Sequence, residues 1–304
     1  MKTFMYLLLC STLLFSCNDD NDPDPNPGAI KVEGLTYGGS PLDFMATDAA
    51  IVSALESAEP ITIVAQVNHT TNAASVDKEL RNTKVIFLGN PNLGTPLMQI
   101  NQLAGLDLPQ KLFLWQDEQD SVRVGFNNAS YLSSRHGLGE MEEINRIEQT
   151  LTNFANTISD NKIVSNPTIT IAEGEGIITK TSTNSFEETY NTLVGAIEGN
   201  ENLKLVTTLD HEANAASAGL ELRPTRLIVF GNPNLGTPLM QNSQSTGIDL
   251  PQKFLVWEDA DGAVKISYND PAFLQKRHGI TENEDILNTI TGALNNLSNA
   301  AAGL

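Results

Sequence analysis

The chain is poor in cysteine, in positive charge and in long apolar runs. Of its 304 residues only Cys10 and Cys17 are cysteines, both at the extreme N-terminus. The remainder therefore has no disulfide framework, no cysteine-ligated zinc and no thiol nucleophile. Eighteen Lys and Arg stand against 37 Asp and Glu, a formal net charge of −19. A field of that sign repels phosphate backbones, and the basic residues are scattered singly, so nucleic acid is not an expected partner. Past residue 15 no apolar stretch approaches the ~18 residues of a spanning helix. No Ser sits in a Gly-x-Ser-x-Gly elbow, which leaves no recognisable nucleophile. With 40 % hydrophobic and 18 % charged residues, the composition is globular and the length suffices for two domains.

The N-terminus reads as an address. After Met1-Lys2, residues 4–15 form an apolar run of signal-peptide length that ends Leu14-Phe15-Ser16-Cys17. This is the pattern of a lipobox, with Cys17 as the lipidated residue and residues 1–17 as a lipoprotein signal peptide. Residues 18–29 alternate Asp and Asn with Pro, an extended, self-repelling tether. An acidic run directly after the lipidated cysteine resembles the surface-export signal of Bacteroidota lipoproteins. The expected location is thus the cell envelope, lipid-anchored to the outer membrane and surface-exposed; the competing reading is an uncleaved N-terminal anchor helix.

Beyond the tether the chain is one domain written twice. Residues 89–99 (GNPNLGTPLMQ) recur unchanged at 231–241, Asp107–Lys111 at Asp249–Lys253, Trp115 at Trp257 and Arg135-His136-Gly137 at Arg277-His278-Gly279, always 142 residues on. A period of that length means a duplicated globular domain rather than a solenoid. The expected copies are residues 30–160 and 166–304, joined near Asn161–Pro167. Within each copy, alternation predicts a first strand (30–35 and 168–178), and apolar spacing of three and four predicts a helix (42–55 and 185–197) with Ser185 and Glu188 placed as a capping box. A second strand comes next (61–67 and 203–209), then a short Ala-rich helix and a buried strand (85–88 and 227–230). A helix is expected to start at Thr95-Pro96 and Thr237-Pro238. A hairpin (112–115 with 122–126, and its twin turning at Asp261-Gly262) and a final helix (140–158 and 282–297) complete the unit. Apart from the short helices the order is β-α-β-β-β-β-α, an α+β domain with a mostly antiparallel sheet and helices on one face.

The string Asp210-His211, Phe230-Gly231-Asn232-Pro233, Gly236-Thr237-Pro238-Leu239-Met240, Asp249-Leu250-Pro251, Trp257-Glu258-Asp259, Tyr268-Asn269-Asp270-Pro271 and Arg277-His278-Gly279 resembles the signature of the domain of unknown function 302 family, over nearly all of each copy. The resemblance implies a TATA-binding-protein-like β-α-β(4)-α fold, which agrees with the order above, and implies no particular reaction. The first copy departs from the string at Asn68, Thr70, Gln116, Phe126, Asn128 and Ala129, which replace Asp210, Glu212, Glu258, Tyr268, Asp270 and Pro271. Carboxylates and a phenol are lost while the Gly, Pro and apolar frame stays, so the second copy is the expected holder of a polar site.

All four histidines occupy repeat-equivalent positions: His69 and His211 at the end of the second strand, His136 and His278 after the last. In the second copy Asp210 and Glu212 flank His211. Imidazole plus carboxylate suits a divalent metal, an acid/base pair, or a strand-end cap on a backbone carbonyl, and spacing alone does not choose. The Gly-Asn-Pro-Asn-Leu-Gly segment around Asn90 and Asn232 comes after a strand, yet it lacks the Lys-Ser/Thr of a P-loop and reads as a structural turn. Asp249 reads as a turn cap, and Trp115 and Trp257 as core. Arg135 and Arg277 offer a planar fork for a carboxylate or phosphate, with a salt bridge from Arg277 to Asp259 or Glu258 as the competing role. The leading expectation is a non-enzymatic module of two copies packed as a pseudo-twofold pair. It would bind a small ligand or ion through Asp210, His211, Arg277, His278, Glu258 and Asn232, with His69, Arg135, His136 and Asn90 as weaker first-copy equivalents. No cofactor is evident, though a divalent metal stays open. The alternatives are an enzyme in which Asp210, His211, Glu258 and His278 converge on one cavity, and a structural or protein-interaction module.

Overall fold

Each strand of the first copy lies antiparallel to its neighbours, and the second copy repeats the scheme. The computed structural model describes residues 30–159 and 162–304; the expected signal peptide, Cys17 and tether lie outside the described residues. Val32–Leu304 forms one compact unit. The first copy runs β1 (Leu35–Ser40), α1 (Phe44–Glu56), β2 (Thr62–Asn68), α2 (His69–Ala74), β3 (Thr83–Gly89), α3 (Pro91–Ile100), a 3₁₀ turn (Gln102–Leu106), β4 (Gln110–Gln116), β5 (Val122–Asn127), α4 (Ala129–His136) and α5 (Glu142–Ser159). After β6 (Ile163–Ser165) the second copy runs β7 (Ile177–Thr181), α6 (Phe186–Glu198), β8 (Lys204–Asp210), α7 (His211–Ser217), β9 (Thr225–Gly231), α8 (Pro233–Asn242), a 3₁₀ turn (Gln244–Ile248), β10 (Gln252–Glu258), β11 (Val264–Asn269), α9 (Pro271–His278) and α10 (Glu284–Ala302). The sheets are ordered β2-β3-β4-β5-β1-β6 and β7-β11-β10-β9-β8. This is the α+β, β-α-β(4)-α arrangement in tandem.

Capping side chains set the helix starts. Asp43 and Ser185 cap α1 and α6 by accepting from the amides of Ala46 and Glu188. α3 and α8 begin four residues before the expected Thr-Pro step, because Asn90 and Asn232 are the caps and Pro91 and Pro233 hold the first helical position. Pro96 and Pro238 lie inside these helices. The first strands also start later than their alternation suggests. The chain turns at Gly34 (φ +68°) before β1, and at Gly174 (φ +72°) and Gly176 (φ +67°) before β7. Those left-handed residues end any strand begun upstream. The join between copies is not a mere break: Ile163–Ser165 adds an edge strand to β1, with Ser165 opposite Thr36. The final helix of the second copy is offset by one further residue, so that Leu287, Ile290 and Leu294 take the buried places of Ile144, Ile147 and Leu151.

One face of each sheet carries its own α1/α5 or α6/α10 pair. The opposite face receives the 3₁₀ turn of the other copy: Gln102–Leu106 packs on β9, β10 and β11, and Gln244–Ile248 on β3 and β4. Being covered on both faces, β3 and β4 are almost entirely buried, which is why they read as continuous apolar runs. Gly105 and Gly247 permit the approach, since a Cβ there would lie 2.9 Å from Leu255 and 2.7 Å from Phe113. The exchange has matched polar contacts. Gln102 Nε2 donates to Thr225 Oγ1 at 2.9 Å, and Gln244 Nε2 to Thr83 Oγ1 at 2.7 Å.

Candidate functional site

The repeated polar residues go to two different places. The first is a buried ionic cluster at the centre of the unit. Asp249 Oδ2 accepts from Arg277 Nη1 at 2.6 Å and from His278 Nε2 at 2.9 Å, while Oδ1 lies 3.3 Å from Lys111 Nζ of the other copy. Asp107 repeats this with Arg135 Nη1 and His136 Nε2, both at 2.8 Å, and with Lys253 Nζ at 4.0 Å. Each arginine also crosses the seam. Arg135 donates to Asn269 Oδ1 and Arg277 to Asn127 Oδ1, both at 2.8 Å. Arg277 stacks 4.0 Å over Tyr131 and Arg135 4.5 Å over Phe273, each ring from the other copy. Every one of these charged side chains is at most 2 % exposed.

Burial in such company decides the protonation states. The neighbouring cations hold the Asp107 and Asp249 carboxyls well below their usual range despite desolvation. Desolvation lowers both His136 and His278, so they are neutral near pH 7. Burial, reinforced by Lys111, pushes the Lys253 amine down to about 7. Arg277 therefore pairs with Asp249, and not with Glu258 or Asp259 as its position in the sequence suggests. Asp249 is an ionic partner rather than a turn cap.

The second place is a pair of clefts along the seam. One is lined by the start of α3, the Leu108-Pro109-Gln110 corner and α5 of the first copy, together with His211 and Asn214 of the second; its volume is about 460 Å³. Its counterpart is lined by α8, Leu250-Pro251-Gln252 and α10, together with His69 and Asn72 of the first copy, and holds only about 80 Å³. The difference has two local causes. Leu88 in the first cleft is Phe230 in the second, where the larger ring stacks on Phe254. Thr62 is replaced by Lys204, whose Nζ reaches Asn72 Oδ1 at 3.4 Å. His69 Nε2 lies 3.1 Å from the Gly247 carbonyl, and the repeat-equivalent Gly105 carbonyl faces the buried His211. Desolvation lowers both imidazoles to about 4, so each is neutral.

The remaining expected site residues are placed elsewhere. Asp210 caps α7 through Ala213 N and pairs with Arg226 Nε, both at 2.9 Å. Its twin Asn68 caps α2 through Thr71 N, so the Asp-to-Asn difference between copies exchanges one good cap for another. Asn128 and Asp270 are likewise equivalent caps of α4 and α9. Asn90 and Asn232 line the two clefts, with their side-chain oxygens bound to the amides of Asn92 and Asn234. Glu258 ends β10 and lines neither cleft. Asp210, His211, Glu258 and His278 thus share no single cavity. Among the described residues no group of three or more His, Asp or Glu side chains is placed to hold a metal ion. Among these residues the larger cleft lies in the first copy, not the second, and takes its histidine from the second. Asp107, Lys111, Lys253 and Tyr131 do not stand out as site residues in the sequence; the unchanged Asp-Leu-Pro-Gln-Lys repeat is the available signal for the first three.

Comparison with known proteins places this architecture. The chain is 43 % identical over 111 residues to Fluoride-specific ion channel FluC 1 of Brucella suis biovar 1, a match covering 36 % of this chain and 43 % of the relative. It is equally identical over the same length to Fluoride-specific ion channel FluC 2 of Brucella melitensis biotype 1, covering 41 % of that protein. The chain thus spans less than half the length of the curated relatives it matches. A crystal structure of an uncharacterized conserved DUF302 protein from Bacillus stearothermophilus aligns at 18 % identity and a TM-score of 0.35, over 42 % of this chain and 97 % of that one. The family model described as Domain of unknown function DUF302 matches twice, over residues 39–158 and 178–297, and the chain belongs to that family as a tandem member.

Proposed function

We propose that the protein is a small-ligand binding module whose site is the cleft of the first copy, completed by His211 of the second. The observation that carries this reading is the asymmetry of the two clefts. One cleft of a duplicated pair is narrowed by Phe230 and Lys204. The other stays open at about 460 Å³, a size typical of small-molecule sites, with His211 and Asn214 of the second copy on its wall. The central cluster acts as scaffold: its charged groups are mutually paired and locked across the seam, so it holds the two copies in the relation that builds the cleft. The channel activity of the Brucella relatives is not carried over. The match covers less than half of those proteins, and no helix among the described residues is long and apolar enough to cross a membrane. We further propose that the module is presented at the cell envelope through a lipid on Cys17, tested by incorporation of an alkyne fatty acid that Cys17→Ala abolishes.

The functional test is affinity mass spectrometry of small molecules retained by the purified protein from a metabolite extract. Leu88→Phe and Thr62→Lys copy into the open cleft the residues that close its twin. The reading expects a retained molecule that both variants lose. Retention of nothing, or the same retention in both variants, overturns it.

A further inference from the structure

Resting on that cleft as the site, we propose that its ligand is a short apolar peptide with both ends free, its carboxylate at Arg146 and its ammonium group at Glu59. These two are the ionisable side chains on the wall besides His211, one of each sign, and both are exposed. Arg146 is the one arginine among the described residues with neither an ion pair nor a hydrogen bond; Arg81, Arg123, Arg135, Arg223, Arg226 and Arg277 all have one. In a chain with 37 acidic residues against 18 basic, an arginine that faces a cleft without a carboxylate is placed for one brought from outside. Glu59 has no such partner among the described residues either, and the two do not pair with each other. A ligand of single charge engages one of them and leaves the other; a zwitterion engages both. The pair belongs to the open cleft alone. Glu201, at the place of Glu59, and Thr289, at the place of Arg146 on the shifted α10, do not line the narrow one.

The rest of the wall fits the body of a peptide. Along α5, Arg146, Thr150 and Asn153 form a polar stripe beside an apolar one of Ile147, Leu151 and Phe154, and both stripes line the cleft. Asn153 and Asn214 carry side-chain amides with no hydrogen bond to any described residue, whereas Asn72, the twin of Asn214, is reached by Lys204 Nζ at 3.4 Å in the narrow cleft. A free amide both donates and accepts, the two functions that a peptide group presents. β2, which contributes Thr62 and Val64 to the wall, is the outermost strand of its sheet and forms no backbone hydrogen bond on its outer side among the described residues. An unpaired strand edge is a ready receptor for an extended chain. An apolar ligand without peptide groups uses neither the amides nor the edge.

The probes are the tripeptide Leu-Ala-Leu, its C-terminal amide and its N-acetyl derivative, titrated calorimetrically into the purified full-length protein near pH 7. The expected result is that the free peptide binds and that each blocked form binds about fivefold more weakly. Arg146→Gln should abolish the difference made by amidation and keep that made by acetylation, and Glu59→Gln should do the reverse. Both side chains are exposed, so these variants keep the fold. Blocked peptides that bind as tightly as the free one, or differences that survive in the variants, overturn the ligand class; the cleft stands as a site if Thr62→Lys still weakens all three. If none of the three binds, the peptide falls and the metabolite retained by the wild type and lost in Thr62→Lys alone decides the cleft. If the free peptide binds and neither Thr62→Lys nor Leu88→Phe weakens it, the cleft reading falls as well.

Discussion

Acid should unfold this protein earlier than its carboxylates alone would dictate, because its four described histidines are all buried and neutral. His69 and His211 are lowered from 6.5 to about 4, chiefly by desolvation, and His136 and His278 are lowered in the same direction. A base whose folded pKa is depressed takes up its proton on unfolding. Its contribution to stability is complete above 6.5 and is lost as pH falls from there toward 4. Each such group contributes a slope of about 1.4 kcal/mol per pH unit within that window. A drop of this size is therefore roughly 3 kcal/mol for each of His69 and His211. Set against a domain stability of roughly 5–15 kcal/mol, losing both, which is complete near pH 4, removes a large share of it and brings the unfolding midpoint of a domain at the low end of that range to between about pH 4 and 5. The assay is urea unfolding followed by fluorescence of Trp115 and Trp257 at pH 7.5, 6.5, 5.5 and 4.5. In the double variant His69→Gln/His211→Gln the slope between 6.5 and 4.5 should fall by about 2.7 kcal/mol per pH unit, the contribution of the two replaced groups. The reasoning is refuted if the wild type is flat across that window, or if the double variant keeps the wild-type slope.

The other predictions concern the seam. Asp249→Asn keeps the shape but leaves Arg277 and Lys111 without their buried counter-charge, and should cost about 3–5 kcal/mol in urea unfolding. Lys253→Met should leave stability at pH 7 unchanged or raise it, since the amine is buried 4.0 Å from Asp107. Because Lys253 is pushed down to about 7, the unfolded chain binds the extra proton above that pH. The wild type should therefore gain stability from pH 7 toward 10.5, and the variant should lose that gain in the same titration. Gly176→Ala requires a left-handed backbone and a Cβ that overlaps Phe273, and should lower stability by about 2 kcal/mol or more.

Most of the architecture is legible in the sequence because it depends on short-range patterning and on repetition. Two copies, the α+β order, the helices from Asp43 and Ser185, and the doubly buried β3 and β9 all derive from local periodicity, capping chemistry and the 142-residue spacing. The departures are local too. Gly38 and Gly39 weaken the strand signal of β1, and Asn90 caps a helix whose start the Thr95-Pro96 step mimics. The same sequence shows that the histidines are matched between copies, but not what they face. Their partners lie on the other copy or more than twenty residues away: Gly247 for His69, Asp107 for His136, Asp249 for His278. Contacts across a seam carry no sequence periodicity, so only the tertiary structure could separate the histidines of the ionic cluster from those along the clefts. The choice of cleft was decided the same way. Leu88 against Phe230 and Thr62 against Lys204 look like ordinary drift between duplicated domains. They become an open and a closed site only when each copy's strands and helices meet the other's histidine, because the volume left between packed surfaces is a property of both.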